Sequence, residues 1–306
     1  MHPSETARSG AAHEQAKWLK GCGIFLCSLV AFACLDALAK DLVGRYSAPL
    51  VNLARYSVII VLAWGIMWLK RVPVAIPPPE RKLLLYRGVM LGSVGICFMP
   101  ALQYLPLAEA TALYFLSPLI VVLLAPLVLR EKVELKQYAA VLLGMFGMLL
   151  IVNPGGEISL LGSLLMLVAA TGYATVQLLT RKLAHRVQSE QMFAYSALIC
   201  WLLGLVVLLF WWPEVWPGPR DAVEMLLMGL SGGLGQFLLI YAFKSVPAST
   251  LAPLNYFQLV LAVIFGELFF AQSPSLLSLT GIALIAVAGL SLTLPMFVAY
   301  FRAKGA

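Results

Sequence analysis

Residues 101–155 read ALQYLPLAEATALYFLSPLIVVLLAPLVLREKVELKQYAAVLLGMFGMLLIVNPG. Two apolar runs, Leu107 to Leu129 and Gln137 to Val152, flank the charged loop REKVELK. A helix that crosses a bilayer needs about 20 largely apolar residues, so each run reads as one crossing. Working outward, eight more segments of this kind appear: Cys22 to Leu42, Leu50 to Leu69, Leu84 to Gln103, Ile158 to Thr180, Gln191 to Trp212, Ala222 to Phe243, Ala248 to Ala271 and Leu276 to Phe297. The composition agrees. Hydrophobic residues make up 61% of the 306 and charged residues 11%, with a mean hydropathy of +0.92. A soluble chain carries about 25% charged residues, and this one could not cover its surface with polar groups. The expected fold is all-α and transmembrane, with ten transmembrane helices.

The same figures exclude a secreted disulfide scaffold, a disordered chain and a nucleic-acid binder. The net charge of +7 comes from short basic clusters between apolar runs, not from a stripe that could follow phosphates. Cys22, Cys27, Cys34, Cys97 and Cys200 all sit inside apolar runs without metal-ligand spacing, and read as small packing residues. No metal or cofactor is expected. Residues 1–20 lack the apolar core of a signal peptide and read as a polar tail.

Sliding the chain against itself by 141 residues brings Ala33 onto Ala174, Leu42 onto Leu183, Arg45 onto Arg186, Gly88 onto Gly229, Gly92 onto Gly233, Ala101 onto Ala242, Pro106 onto Pro247 and Leu113 onto Leu254. Leucines align by chance, whereas paired glycines and prolines in one register do not. The chain therefore divides into a tail (1–20), a first five-helix repeat (21–155), a second five-helix repeat (156–298) and a tail (299–306). Five crossings is an odd number, so the second repeat must run in the opposite sense. Two inverted five-helix repeats are the plan of secondary transporters. Of the 21 Lys and Arg, all but Lys40, Arg45, Arg55 and Arg220 fall on the side of the N-terminus. The positive-inside rule then puts both termini in the cytoplasm.

Enzyme motifs are nearly absent. No GxxxxGK[ST], HExxH or GxGxxG occurs, and the one G-x-S-x-G match, Gly229 to Gly233, lies inside an apolar span without a histidine partner. Gly229/Gly233 and Gly88/Gly92 read better as small-xxx-small faces for close helix packing. Charges inside a bilayer are costly and mark function by default. Asp36 and Arg55 fall at one depth, about 9 and 8 Å below the outer ends of their spans at 1.5 Å per residue, with Lys40 one turn above Asp36. They form either a structural ion pair between spans 1 and 2 or a charge cluster in a polar cavity that meets a charged substrate. Glu109 is either a solvated end residue or a carboxylate that carries a proton. Glu267 can reach the surface by snorkelling.

A second cluster is uncharged. Tyr114 and Ser117 align in the repeat with Asn255 and Gln258, Gln177 is the mate of Asp36, and Tyr173 and Gln236 lie in spans 6 and 8. Each alone reads as a helix-packing contact; together, near span centres, they read as a substrate-binding set. Pro118 frees the carbonyl of Tyr114 and Pro253 that of Ser249, since proline cannot donate to residue i−4. Such carbonyls are tolerated where they face protein or a cavity.

With ten spans in two repeats and the 101–155 stretch, echoed from Ala242 through Pro247 to Gly281 and Gly289, the sequence resembles the EamA branch of the drug/metabolite transporter superfamily. The resemblance covers nearly everything after residue 20. It implies a cavity surrounded by spans 1–4 and 6–9, faced by Asp36, Arg55, Tyr114 and Asn255, and it makes Glu109 of LAEA a recurrent acidic position. The second half departs from the pattern, carrying Thr250 opposite Glu109 and Gln272 opposite Glu131. The expected function is alternating-access transport of a small polar metabolite, an amino acid or related zwitterion first, in a bacterial-type inner membrane, with or without proton coupling. The DALAK stretch at 36–40 points alternatively to members that take up S-adenosylmethionine or riboflavin, and the rival of another class is a membrane-embedded enzyme. The expected partners are the substrate and the lipid, with the chain monomeric or homodimeric.

Overall fold

The computed structural model describes residues 3–76, 78–129, 135–152, 158–183, 186–245 and 252–305, all in helices and short connections. Helices α1 (Pro3–Arg45), α2 (Ala48–Leu69), α3 (Pro78–Tyr104), α4 (Leu107–Tyr114), α5 (Ser117–Leu129) and α6 (Leu135–Val152) build the first half. Helices α7 (Leu160–Leu183), α8 (Ser189–Phe210), α9 (Pro219–Ser245), a 3-10 turn (Ala252–Tyr256), α10 (Phe257–Phe270) and α11 (Leu276–Gly305) build the second. Eight of the described helical segments are long and apolar enough to cross a membrane, and two more, Leu254–Phe270 and Leu276–Ser291, are shorter and apolar. Leu142, Phe146 and Leu149 of α6 and Leu209 and Phe210 of α8 point outward and are more than half exposed. Such apolar patches suit lipid as the outer solvent. The chain is a multi-pass membrane protein.

Three expectations change. α1 begins at Pro3, so the polar segment before residue 20 continues the first span as one helix. Span 4 is not a single helix to Leu129. It breaks after Tyr114, where the Phe115 N–H still reaches Thr111 O at 3.0 Å but the Leu116 N–H turns to Leu113 O at 3.2 Å. Pro118, which has no N–H to give Tyr114, is the physical cause. Span 9 carries Pro253 inside a 3-10 turn before α10 starts. Ser249 and Thr250, like Glu131 and Pro247, lie outside the described residues.

The packing obeys the repeat. α1 lies along α9 as α3 lies along α7, and α2 meets α8 as α6 meets α11. Gly88 and Gly92 of α3 press on Ile199 and Leu203 of α8, while their mates Gly229 and Gly233 of α9 press on Val58 and Leu62 of α2. Val58 and Leu62 are themselves 141 residues before Ile199 and Leu203. The same inverted contact is thus made twice, as the small-xxx-small reading requires. We call the end of the bundle where the chain starts the terminal face, and the other the far face.

Candidate functional site

A tyrosine pair joins α4 to α7. The break in span 4 leaves Tyr114 at the end of α4, where its ring meets Tyr173 of α7 at 5.1 Å between centroids and Phe98 of α3 edge-on at 5.1 Å. Charges gather around this pair. Asp36 of α1 and Arg55 of α2 are both half-buried and electrostatically coupled to Tyr114 and to each other. The Arg55 guanidinium lies 5.3 Å above the Tyr56 ring, a cation–π geometry. Its Nε is enclosed without a hydrogen-bond partner among the described residues.

Asp36 has a partner the sequence did not pair with it. Gln258 of α10 donates to Asp36 Oδ2 at 3.0 Å, and the ion pairs among the described residues do not join Asp36 to Arg55 or Lys40. The expected structural ion pair among these three residues is therefore corrected. Lys40 turns away from Asp36 and donates to the carbonyls of Leu102 at 3.0 Å and Leu105 at 2.6 Å. It neutralises the carbonyl end of α3, where a cation is favoured. Asp36 and Arg55 are left as opposite charges that share a space without closing on each other.

Glu109 is also relocated. It is 2% exposed, so it does not reach the headgroups as a solvated end residue. It occupies the first turn of α4, where an acid complements the helix dipole, and it is electrostatically coupled to Lys40 across the α3–α4 junction. Glu267, by contrast, is exposed and accepts from Ser273.

Of the uncharged set, the structure joins Tyr114 with Tyr173 and Gln258 with Asp36. It does not pair Tyr114 with Asn255 or Ser117 with Gln258. Ser117 is buried, and Asn255, Gln177 and Gln236 are half-buried.

Sequence reasoning missed Arg87. It was counted among the loop cations, yet it stands nine residues into α3, about 13 Å from its start. Its Nε donates to Thr180 Oγ1 at 2.7 Å and its Nη1 to Ser196 Oγ. The signal is in the sequence: the third apolar span, Leu84 to Gln103, contains Arg87. Tyr56 and Cys200 were missed as well. Both are buried and electrostatically coupled to Arg55 and to Arg87.

At each face an ion pair locks two helices of different repeats. At the far face Arg45 of α1 binds Asp221 and Glu224 of α9, along with Asp41. At the terminal face Arg186, after α7, meets Glu80 of α3 at 3.7 Å. Arg186 is the repeat mate of Arg45, and Asp221 is 141 residues after Glu80. The two locks are one interaction made twice.

A model of the EamA-like transporter family matches residues 19–153 and again 160–294. An uncharacterized transporter of Helicobacter pylori is 28% identical over 286 residues, covering 90% of this chain and 95% of that protein. The S-adenosylmethionine uptake transporter of Rickettsia conorii is 27% identical, over 88% of this chain and 90% of its own length. The pseudopaline exporter CntI of Pseudomonas aeruginosa is 28% identical, over 89% and 95%. A protein of known crystal structure shares the fold with a TM-score of 0.67 at 20% identity, over 90% of this chain and 97% of that one.

Proposed function

Since this chain belongs to the EamA-like transporter family, we propose that it carries a small zwitterion, an amino acid or a close derivative, across a bacterial inner membrane by alternating access. The observation that carries the substrate class is the unclosed pair of Asp36 and Arg55 beside the tyrosines. A guanidinium offers a planar fork that fits a carboxylate, and a carboxylate with one oxygen engaged by Gln258 can accept from an ammonium. A zwitterion satisfies both at once, where a cation or an anion alone leaves one charge buried and unpaired. S-adenosylmethionine, named for one relative, ends in an α-amino-acid group of this kind. Tyr114, Tyr173, Ser117, Asn255, Gln177 and Gln236 are proposed to line the remainder of the path.

Alternating access is supported by the repeated lock. Exchanging the conformations of two inverted repeats turns one face into the other, so an interaction made at both faces in equivalent form is suited to open at one while it holds at the other. The relatives named as transporters supply no enzymatic chemistry, and none is proposed for this chain.

The test is counterflow in proteoliposomes with the twenty protein L-amino acids, their carboxamides and S-adenosylmethionine. Saturable exchange of a zwitterion, with its carboxamide excluded, is the expected result; exchange of organic cations or anions alone would refute the substrate class. The same vesicles address proton coupling. Glu109→Gln is expected to remove any acceleration by a pH gradient yet leave exchange intact, because exchange needs no net proton movement. An unchanged response assigns Glu109 to the α3–α4 junction.

Both termini are proposed to be cytoplasmic. A cysteine replacing Gly218, which has open space around its Cα, is expected to react with an impermeant maleimide added outside intact cells, whereas one replacing Gln188 is not. Labelling at position 188 would reverse the orientation.

A further inference from the structure

We propose that Arg87 is a second station for the substrate's carboxylate, on the terminal-face side of the tyrosine pair, so that this group passes between Arg55 and Arg87 as access alternates. The inference rests on the zwitterion reading above and extends it to a residue and a route.

Depth is the first argument. Arg55 is seven residues from the far-face start of α2, and Arg87 nine residues from the terminal-face start of α3, or about 10 and 13 Å along their axes. The Arg87 head is turned inward rather than toward the surface, held by the hydroxyls of Thr180 and Ser196. The repeat supplies the second. Ser196, which accepts from Arg87, is the mate of Arg55 at the 141-residue offset. It stands seven residues into α8, as Arg55 does into α2, but measured from the other face. The inverted symmetry that sets Arg55 in the far half therefore brings the Arg87 guanidinium to the equivalent point in the terminal half.

Charge supplies the third. No described carboxylate pairs with Arg87; its partners are the hydroxyls of Thr180 and Ser196, with Tyr173, Cys200 and Tyr56 around it. A half-buried cation within a span and without an anion is costly, and two hydroxyls engage only part of a five-donor group. A carboxylate would complete it in bidentate fashion. Tyr56 and Cys200 are coupled to both guanidinium groups, and Tyr114, coupled to Arg55, packs its ring against Tyr173, which is coupled to Arg87.

The experiment measures half-saturation separately at each face, in vesicles of fixed orientation, for the amino acid that wild type exchanges best and for its carboxamide. Arg87→Gln is expected to raise the terminal-face value about 10-fold or more and the far-face value less than about 3-fold, with Arg55→Gln doing the reverse. Preference for carboxylate over carboxamide at the terminal face should vanish in Arg87→Gln and survive in Arg87→Lys. Equal shifts at both faces, or an undiminished preference, would show that Arg87 only ties α3 to α7 and α8. If the Gln variant does not assemble, Arg87→Lys carries the test: loss of the fork geometry should raise the terminal-face value alone, and an unchanged value overturns the proposal. Should wild type exchange no amino acid, the zwitterion reading fails by itself. Lactate and lactamide then report on Arg87, whose station stands if lactate is preferred in an Arg87-dependent way and falls if the two are treated alike.

Discussion

Asp36→Asn and Arg55→Gln are each expected to lower transport efficiency about 100-fold, near 2.7 kcal/mol, while the protein still assembles. Hydrogen bonds to charged groups contribute about 1.5–3 kcal/mol, and each substitution removes one such group from the substrate. Folding is spared because neither residue closes an ion pair. Gln258 can donate to the amide oxygen of the substituted side chain as it does to the Asp36 carboxylate, and no described residue loses a hydrogen bond with the Arg55 guanidinium. The substitutions should also differ in kind. Asp36→Asn should weaken discrimination for the ammonium, and Arg55→Gln that for the carboxylate. The reciprocal variant, Asp36→Arg combined with Arg55→Asp, should assemble as the single variants do without recovering transport. Kinetics in proteoliposomes, with melting curves of the purified variants, decide the matter. Two single variants that transport like wild type would remove both residues from the site.

A larger loss is expected from Gly281→Val, and from Gly147→Val on the helix facing it: neither variant should yield a folded, monodisperse protein. α6 and α11 touch backbone to backbone here. A Cβ on Gly281 would lie 2.5 Å from the Gly147 carbonyl oxygen and 2.7 Å from an Ile151 side-chain carbon, and one on Gly147 would lie 2.7 Å from the Gly281 oxygen. Overpacking commonly costs about 1–3 kcal/mol where side chains can rearrange. A carbonyl cannot rearrange without moving its helix, so the cost exceeds that range. Gly218→Val, with nothing within 4 Å of its added Cβ, serves as the neutral control. Size-exclusion profiles after detergent extraction are the measurement, and a well-folded Gly281→Val protein would mean that α11 is free to withdraw from α6.

How much of this was legible beforehand follows from the range of each interaction. The crossings, the two repeats and the glycine faces were readable because hydrophobic length and residue spacing along one helix set them. The break after Tyr114 was half-readable. Pro118 announced a missing hydrogen bond, but whether a helix bends or breaks there depends on what packs beside it.

The site was less legible. Equal depth suggested that Asp36, Lys40 and Arg55 would pair, yet depth is one coordinate, and pairing needs the rotation of each helix about its axis. That rotation is set by neighbours far along the chain, such as Ile199 against Gly88 and Val58 against Gly229. Lys40 went to the carbonyl end of α3 because residues 102 and 105 happen to end beside it, and Asp36 met Gln258 across 222 positions of sequence. Arg87 was misplaced for a related reason: a count of loop charges treats a cation near a span's start as solvated, while the packing of α7 and α8 turned it inward. Hydropathy and repeat spacing suffice to show a chain that spans a membrane in two inverted halves, because burial in lipid acts on each segment independently of its partners. Which charges meet follows instead from the packing of the helices, because that depends on angles and distances between them that no single segment encodes.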